Sequence, residues 1–181
     1  IGHIKRVSTV EEARAYIDSV RKTYHDARHV CSAFIIGADR DIQRSSDDGE
    51  PAGTAGVPMM QALLARQTRE DGTTDLSDVV AVVVRYFGGI KLGAGGLVRA
   101  YTDSVVQTLD GALFDSRERL RVGQVPSSHA DAGRLENEIR AAGLNVLGTE
   151  YGAEGATISL GVFDRPEELA RAEELVVSLS S

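Results

Sequence analysis

The sequence predicts a mixed helix-and-strand chain folded as two modules, and three observations predict it. In several stretches apolar residues recur at alternating steps of three and four, the period of a helix with one buried face. Between them lie short runs of β-branched and aromatic residues bounded by Gly, Asp and Pro, the pattern of strands. A polar run, Asp115-Ser116-Arg117-Glu118-Arg119, then interrupts the apolar pattern before it restarts. The modules are therefore placed at 1–117 and 118–181.

Ile1 to Val7 reads as the tail of a strand. Ser8, with Glu11 three residues on, forms a capping box ahead of a helix that buries Val10, Ala13, Ile17, Val20 and Tyr24. His29 to Gly37 is a strand, and Asp39 to Ser46 a turn followed by a second strand. Asp47 to Gly56 is a loop by composition. Pro58 suits the first turn of a helix continued by Met59, Ala62, Leu63 and Arg66. Thr68 to Asp78 is a polar connection with an Asp71-Gly72 turn, and Val79 to Val84 is a buried strand. Leu97, Tyr101, Val105, Leu109 and Ala112 give a long helix its apolar face.

In the second module Leu120 to Val125 is a strand. Ser128 caps a helix carrying Leu135, Ile139 and Ala142, closed by Gly143. Leu144 to Tyr151 and Thr157 to Phe163 are strands around a Gly-rich turn. Asp164 and Glu167 open a helix with Leu169, Ala172, Leu175 and Val176. This order is that of a ferredoxin-like module short of its last strand, so a few C-terminal residues are expected to be missing. The start at Ile1 rather than Met raises the same expectation for the N-terminus.

Composition narrows the function classes. The net charge of −7 opposes indiscriminate nucleic-acid binding, so a nucleic-acid partner needs a local basic face. No stretch is long enough to span a bilayer and no signal peptide is visible. A single cysteine, Cys31, excludes an intrachain disulfide and fits a reducing, cytoplasmic setting.

The most informative stretch is Arg85 to Tyr101, where Gly88, Gly89, Gly93, Gly95 and Gly96 sit between a strand and a helix. Glycine permits positive φ and close approach of a ligand. Amides at a helix start are unpaired and attract anions. Arg85, Lys91 and Arg99 are the only charges in residues 79–102, a window free of acids. Two readings remain open: a phosphate-binding site, or a tight turn whose glycines only let helix pack on sheet.

Other chemistry is less well supported. Asp47, Asp48 and Glu50 offer hard oxygen ligands for a divalent cation or a paired acid and base, but turns and helix caps use the same residues. His25, His29 and Cys31 lack a fourth zinc ligand, so Cys31 is expected to be buried and without zinc. Ser45, Ser46, Thr54 and Ser104 have no partner base. The nucleophile elbow, the P-loop and the zinc-protease helix are absent.

Two longer motifs carry a resemblance. Asp48-Gly49-Glu50-Pro51-x-Gly53-Thr54-Ala55-Gly56, followed by Val84-Arg85-Tyr86-Phe87-Gly88-Gly89-x-Lys91-Leu92-Gly93-x-Gly95-Gly96-Leu97-x-Arg99-Ala100-Tyr101, resembles the YigZ/IMPACT family. The stretch around His25, Ala27, His29 and Cys31 is also similar, and the resemblance covers essentially the whole chain. It implies an α+β fold: a ribosomal protein S5 domain 2-like module akin to domain IV of elongation factor G, then a ferredoxin-like module akin to its domain V. It also implies a translation-linked role. Eukaryotic members bind the ribosome-associated activator of the amino-acid-starvation kinase, and bacterial members are described as nucleic-acid-binding or translation regulators. A peptidase label also attached to bacterial members finds no support in these residues. The family's basic N-terminal strand is absent here.

The expectation is thus a regulator that binds RNA or a ribosome-associated protein, with no cofactor, metal or membrane partner. Arg85, Lys91 and Arg99 would meet phosphates, with pairing to Asp47, Asp48 or Glu50 across the site as the alternative for Arg85. Gly88, Gly89, Gly93, Gly95 and Gly96 would offer amides, and Tyr86 and Tyr101 would stack on bases, Tyr101 also belonging to the apolar helix face. The loop Asp47, Asp48, Gly49, Glu50, Pro51, Gly53 and Thr54 would flank the site. The alternatives are a protein-interaction module without RNA, and a phosphate-dependent enzyme using the Gly-rich loop; no catalytic residue is assigned.

Overall fold

A computed structural model describes residues 1–179 of the chain. The chain divides into two units, Ile1–Phe114 and a second beginning at Asp115. Among the described residues the fold is α+β, with five helices and two antiparallel sheets.

The first unit runs β1 (Gly2–Arg6), α1 (Val10–Thr23), β2 (His29–Ile36), β3 (Ile42–Ser46), α2 (Gly56–Ala65), β4 (Val79–Arg85) and α3 (Gly93–Asp110). Its sheet has the order β1-β4-β2-β3. β2 and β4 are central, and both their faces are covered, which is why they read as unbroken apolar runs. Cys31, Ala33, Ile35, Val79, Ala81 and Val83 pack with α2 and α3 on one face. Val30, Phe34, Ile36, Val80, Val82 and Val84 pack with α1 on the other. Fully burying one such Val, Ile or Phe contributes about 1.5–3 kcal/mol, so this alternation fixes the register. The polar β3 takes the sheet edge.

Helix ends shift slightly from the sequence reading. The cap of α1 is Thr9, whose Oγ1 accepts from Glu12 N–H at 3.1 Å, while the Glu12 carboxylate accepts from Ser8 N–H at 2.6 Å. The capping interaction therefore lies one residue later than the Ser8–Glu11 pair, because Thr9 is the last extended residue. Ala112 lies beyond the end of α3, whose buried face is Leu97, Tyr101, Val105 and Leu109.

The second unit runs β5 (Leu120–Ser127), α4 (Ala132–Ala141), β6 (Asn145–Tyr151), β7 (Ala156–Phe163) and α5 (Pro166–Leu179), with sheet order β5-β7-β6. Val125, Val146, Ile158, Leu160 and Val162 pack with Leu135, Ile139 and Ala172 of the helices. Ser128 Oγ accepts from Asp131 N–H at 3.1 Å, so it closes the turn before α4 and does not cap the helix itself. Gly143 takes φ +84° and ends α4 as expected. Asp164 is taken up by Arg121 at 2.6 Å and Arg119 at 3.6 Å, and the bonding of α5 begins at the Arg165 carbonyl. Among the described residues no helix is long and apolar enough to cross a membrane.

Candidate functional site

The site is built where β2, β4 and the Asp47–Glu50 turn meet. Glu50 N–H donates to Asp47 O at 2.9 Å, and the two central residues, Asp48 and Gly49, have φ of +41° and +84°. This left-handed pair is the pattern of a type I′ turn, for which Asp-Gly is a favoured sequence. Asp48 Oδ2 accepts from Val30 N–H at 2.7 Å, and its backbone oxygen lies 2.8 Å from His29 Nδ1, which clamps the turn onto β2.

The turn delivers Glu50 into the interior, where its side chain is 2% exposed. Arg85, the last residue of β4, faces it with a two-pronged guanidinium pair. Tyr101 of α3 donates its hydroxyl to Glu50 Oε1 at 2.8 Å, and His29 Nε2 stands 3.8 Å from Oε2. Burial alone would raise the carboxyl pKa, but the Arg85 and Tyr101 hydrogen bonds outweigh it and hold Glu50 below its ordinary range. Cys31 extends the network: its thiol donates to Asp47 O at 3.0 Å and lies 3.3 Å from the Tyr101 oxygen. Burial pushes that thiol up to about 12, so it stays protonated near neutrality.

Two helix N-termini sit beside this network and are treated differently. Asp47 fills that of α2: its carboxylate accepts from Gly53, Ala55 and Gly56 N–H at 2.8, 3.1 and 2.7 Å. Desolvation opposes this charge, but the three amides hold Asp47 below the usual carboxylate range. The N-terminus of α3 has Leu92 at the cap, no side-chain hydrogen bond and no acid in its first turn. Gly89 and Gly93 take φ of +86° and +69°, so the loop depends on glycine at those two points. A Cβ built on Gly88, Gly89, Gly93 or Gly95 would meet nothing within 4 Å, so the loop backbone is open to a partner. Lys91 and Arg99 are exposed, and neither has an ion-pair or hydrogen-bond partner among the described residues. Tyr86, Phe87, Ile90 and Leu92 are also exposed. A separate groove between α2 and α3, lined by Ala62, Arg66, Val106 and Phe114, shares none of these residues.

The model of the Impact N-terminal domain family matches residues 1–109. The chain belongs to the IMPACT family. It is 46% identical to the IMPACT family member YvyE of Bacillus subtilis (strain 168) over 140 residues, 77% of this chain and 61% of that protein. It is 50% identical to the IMPACT family member YigZ of Escherichia coli (strain K12) over 102 residues, 55% of this chain and 46% of that protein. The chain thus spans about half to three fifths of the curated relatives it matches. A solved structure described as the crystal structure of a hypothetical protein superposes with a TM-score of 0.65 at 31% identity, covering 99% of this chain and 82% of that one.

The IMPACT motifs identified in the sequence converge in space, but with different duties. Arg85 is engaged by Glu50 rather than free for phosphate, because a buried carboxylate requires its counter-charge. Tyr101 is 1% exposed and so is not a stacking surface; its position on the buried stripe of α3 decides this. In the flanking loop Asp47, Asp48 and Glu50 direct their oxygens at N–H, hydroxyl and guanidinium groups. Thr54 is buried and bonds the Pro51 carbonyl at 2.6 Å. Sequence reasoning missed Arg28, whose guanidinium lies 5.6 Å from the Phe87 ring centre, and Asp26, which accepts from the Tyr86 hydroxyl at 2.9 Å. The signal for both is the pairing of His29 with Arg85, which carries the start of β2 to the end of β4.

Proposed function

We propose that this IMPACT family chain binds RNA, or an RNA-bearing surface of the translation machinery, through the glycine-rich junction, and so acts as a cytoplasmic, translation-linked regulator. The observation that carries the reading is the uncapped N-terminus of α3, open at its glycines, with Lys91 just before it and Arg99 in the second turn. First-turn amides and a helix dipole favour a phosphate there, and the two lysine and arginine charges add the local basic face that an acidic protein needs. The finer fold follows the same family: an S5 domain 2-like first unit, and a ferredoxin-like second unit supported by the β5-α4-β6-β7-α5 order. A protein partner is the second reading, favoured by the exposed Phe87, Ile90 and Leu92. Affinity capture with and without ribonuclease separates them. Partners that vanish after ribonuclease support RNA; a protein partner that persists, with no RNA recovered, overturns it.

A further inference from the structure

We infer that the junction takes single-stranded rather than duplex RNA, with Phe87 and Arg28 as its stacking platform; this rests on the RNA reading above. Phe87 is 46% exposed and Tyr86 44%. Both forgo the burial that ordinarily stabilises an aromatic side chain. Each has one side-chain contact from the α1–β2 connection. The Tyr86 hydroxyl is tied to Asp26 at 2.9 Å, and the Arg28 guanidinium lies 5.6 Å from the Phe87 ring centre. Asp26 and Arg28 come from the α1–β2 connection, and the antiparallel pairing of His29 with Arg85 brings them to the end of β4. Two rings and a planar cation are thereby gathered where the chain enters the open loop.

Charge points to a polyanion. Arg28, at the Phe87 ring, and Lys91 and Arg99, in the loop and in α3, are exposed cations. Of the acids nearby, Glu50 is covered by Arg85 and Asp48 is paired with Arg21, while Asp26, bonded to the Tyr86 phenol, keeps its charge and leaves the cations in excess. Rings beside cations are how proteins hold an unpaired strand: backbone charge is met by Lys and Arg, and each base lays its face on an aromatic or guanidinium plane. A duplex keeps its base faces inside its own stack. It would engage Lys91 and Arg99 through phosphate and leave Phe87 in water.

The test is anisotropy titration of the full chain with an unstructured RNA of about 12 nucleotides and with its duplex, within the usual site size of single-strand binders. The single strand should bind at least about tenfold tighter, since the duplex forfeits the stacking contacts. Phe87→Leu should weaken single-strand binding by roughly 5- to 100-fold, leave the salt slope unchanged and leave duplex binding unchanged. Arg28→Gln should weaken it too and lower the log–log salt slope by about 0.7. Phe87 is exposed, so the variant should fold, and an unchanged thermal midpoint confirms that. Equal binding of both RNA forms, or a silent Phe87→Leu, overturns the single-strand inference while salt-dependent binding leaves the RNA reading standing. Absence of binding to either form overturns both.

Discussion

Replacing Glu50 by Ala strands the partly buried Arg85 and removes the acceptor of the Tyr101 hydroxyl. The expected cost is about 3 kcal/mol, the range for a buried pair that loses one member, read by urea unfolding; a loss below about 1 kcal/mol would show that water replaces the contact. The same carboxylate gives a pH signature. Glu50 and Asp47 are held below their ordinary values of 4.5 and 3.8. The stability they contribute is present above those values and is lost as pH falls through their lower folded-state values. Thermal stability should therefore drop on acidification below about pH 4.5, and Glu50→Gln should show a shallower drop. Cys31, buried and protonated, should react with a thiol reagent only as fast as the protein unfolds; labelling at the rate of a free thiol would contradict its placement. These residues were unequally legible. The burial of Cys31 and Tyr101 follows from strand and helix period. The Glu50–Arg85 pair was legible only as one alternative among three acids of the loop, and the Tyr101 bond was not, because an Asp-Gly-Glu turn reads as polar loop until its partners, 35 and 51 residues away, are brought to it.

At the scale of the element, the N-termini of α2 and α3 receive opposite treatment, and glycine substitutions expose the difference. Gly93→Ala should destabilise by about 1–2 kcal/mol, because φ is positive there. Gly95 is helical with open space above it, so Gly95→Ala should stabilise slightly, by up to about 1 kcal/mol. The added methyl would nonetheless stand over the amides offered to phosphate, so RNA affinity should fall as stability rises. Parallel gains or losses in both quantities would show that the junction is only a packing turn. The helices and strands themselves were readable from apolar period, and errors fell at their ends, as at Thr9 and Asp164. End positions depend on which oxygen reaches an amide, and several candidates one residue apart compete for that place. That α3 begins uncapped at Leu92 was legible in the lack of any Ser, Thr, Asp or Asn from Tyr86 to Tyr101. The cation beside Phe87 was not, since it arises only from strand pairing.

For the whole molecule, apolar period restarts after Asp115, and residues 111–119 form neither helix nor strand. Trypsin is expected to cut first at Arg117 or Arg119, releasing two resistant fragments; first cleavage at Lys91 would contradict a structured junction. Net charge of −7 makes the central claim sharp, because global electrostatics work against binding an anion and any affinity must come from the local cations. The most direct measurement is RNA affinity across salt concentrations for the wild type and the Lys91→Ala, Arg99→Ala double variant. Each lost phosphate contact lowers the log–log slope by about 0.7, so the double variant should bind more weakly, across all sequences alike, with a slope smaller by about 1.4. Unchanged affinity and slope in a folded double variant would contradict the junction as the RNA-binding surface.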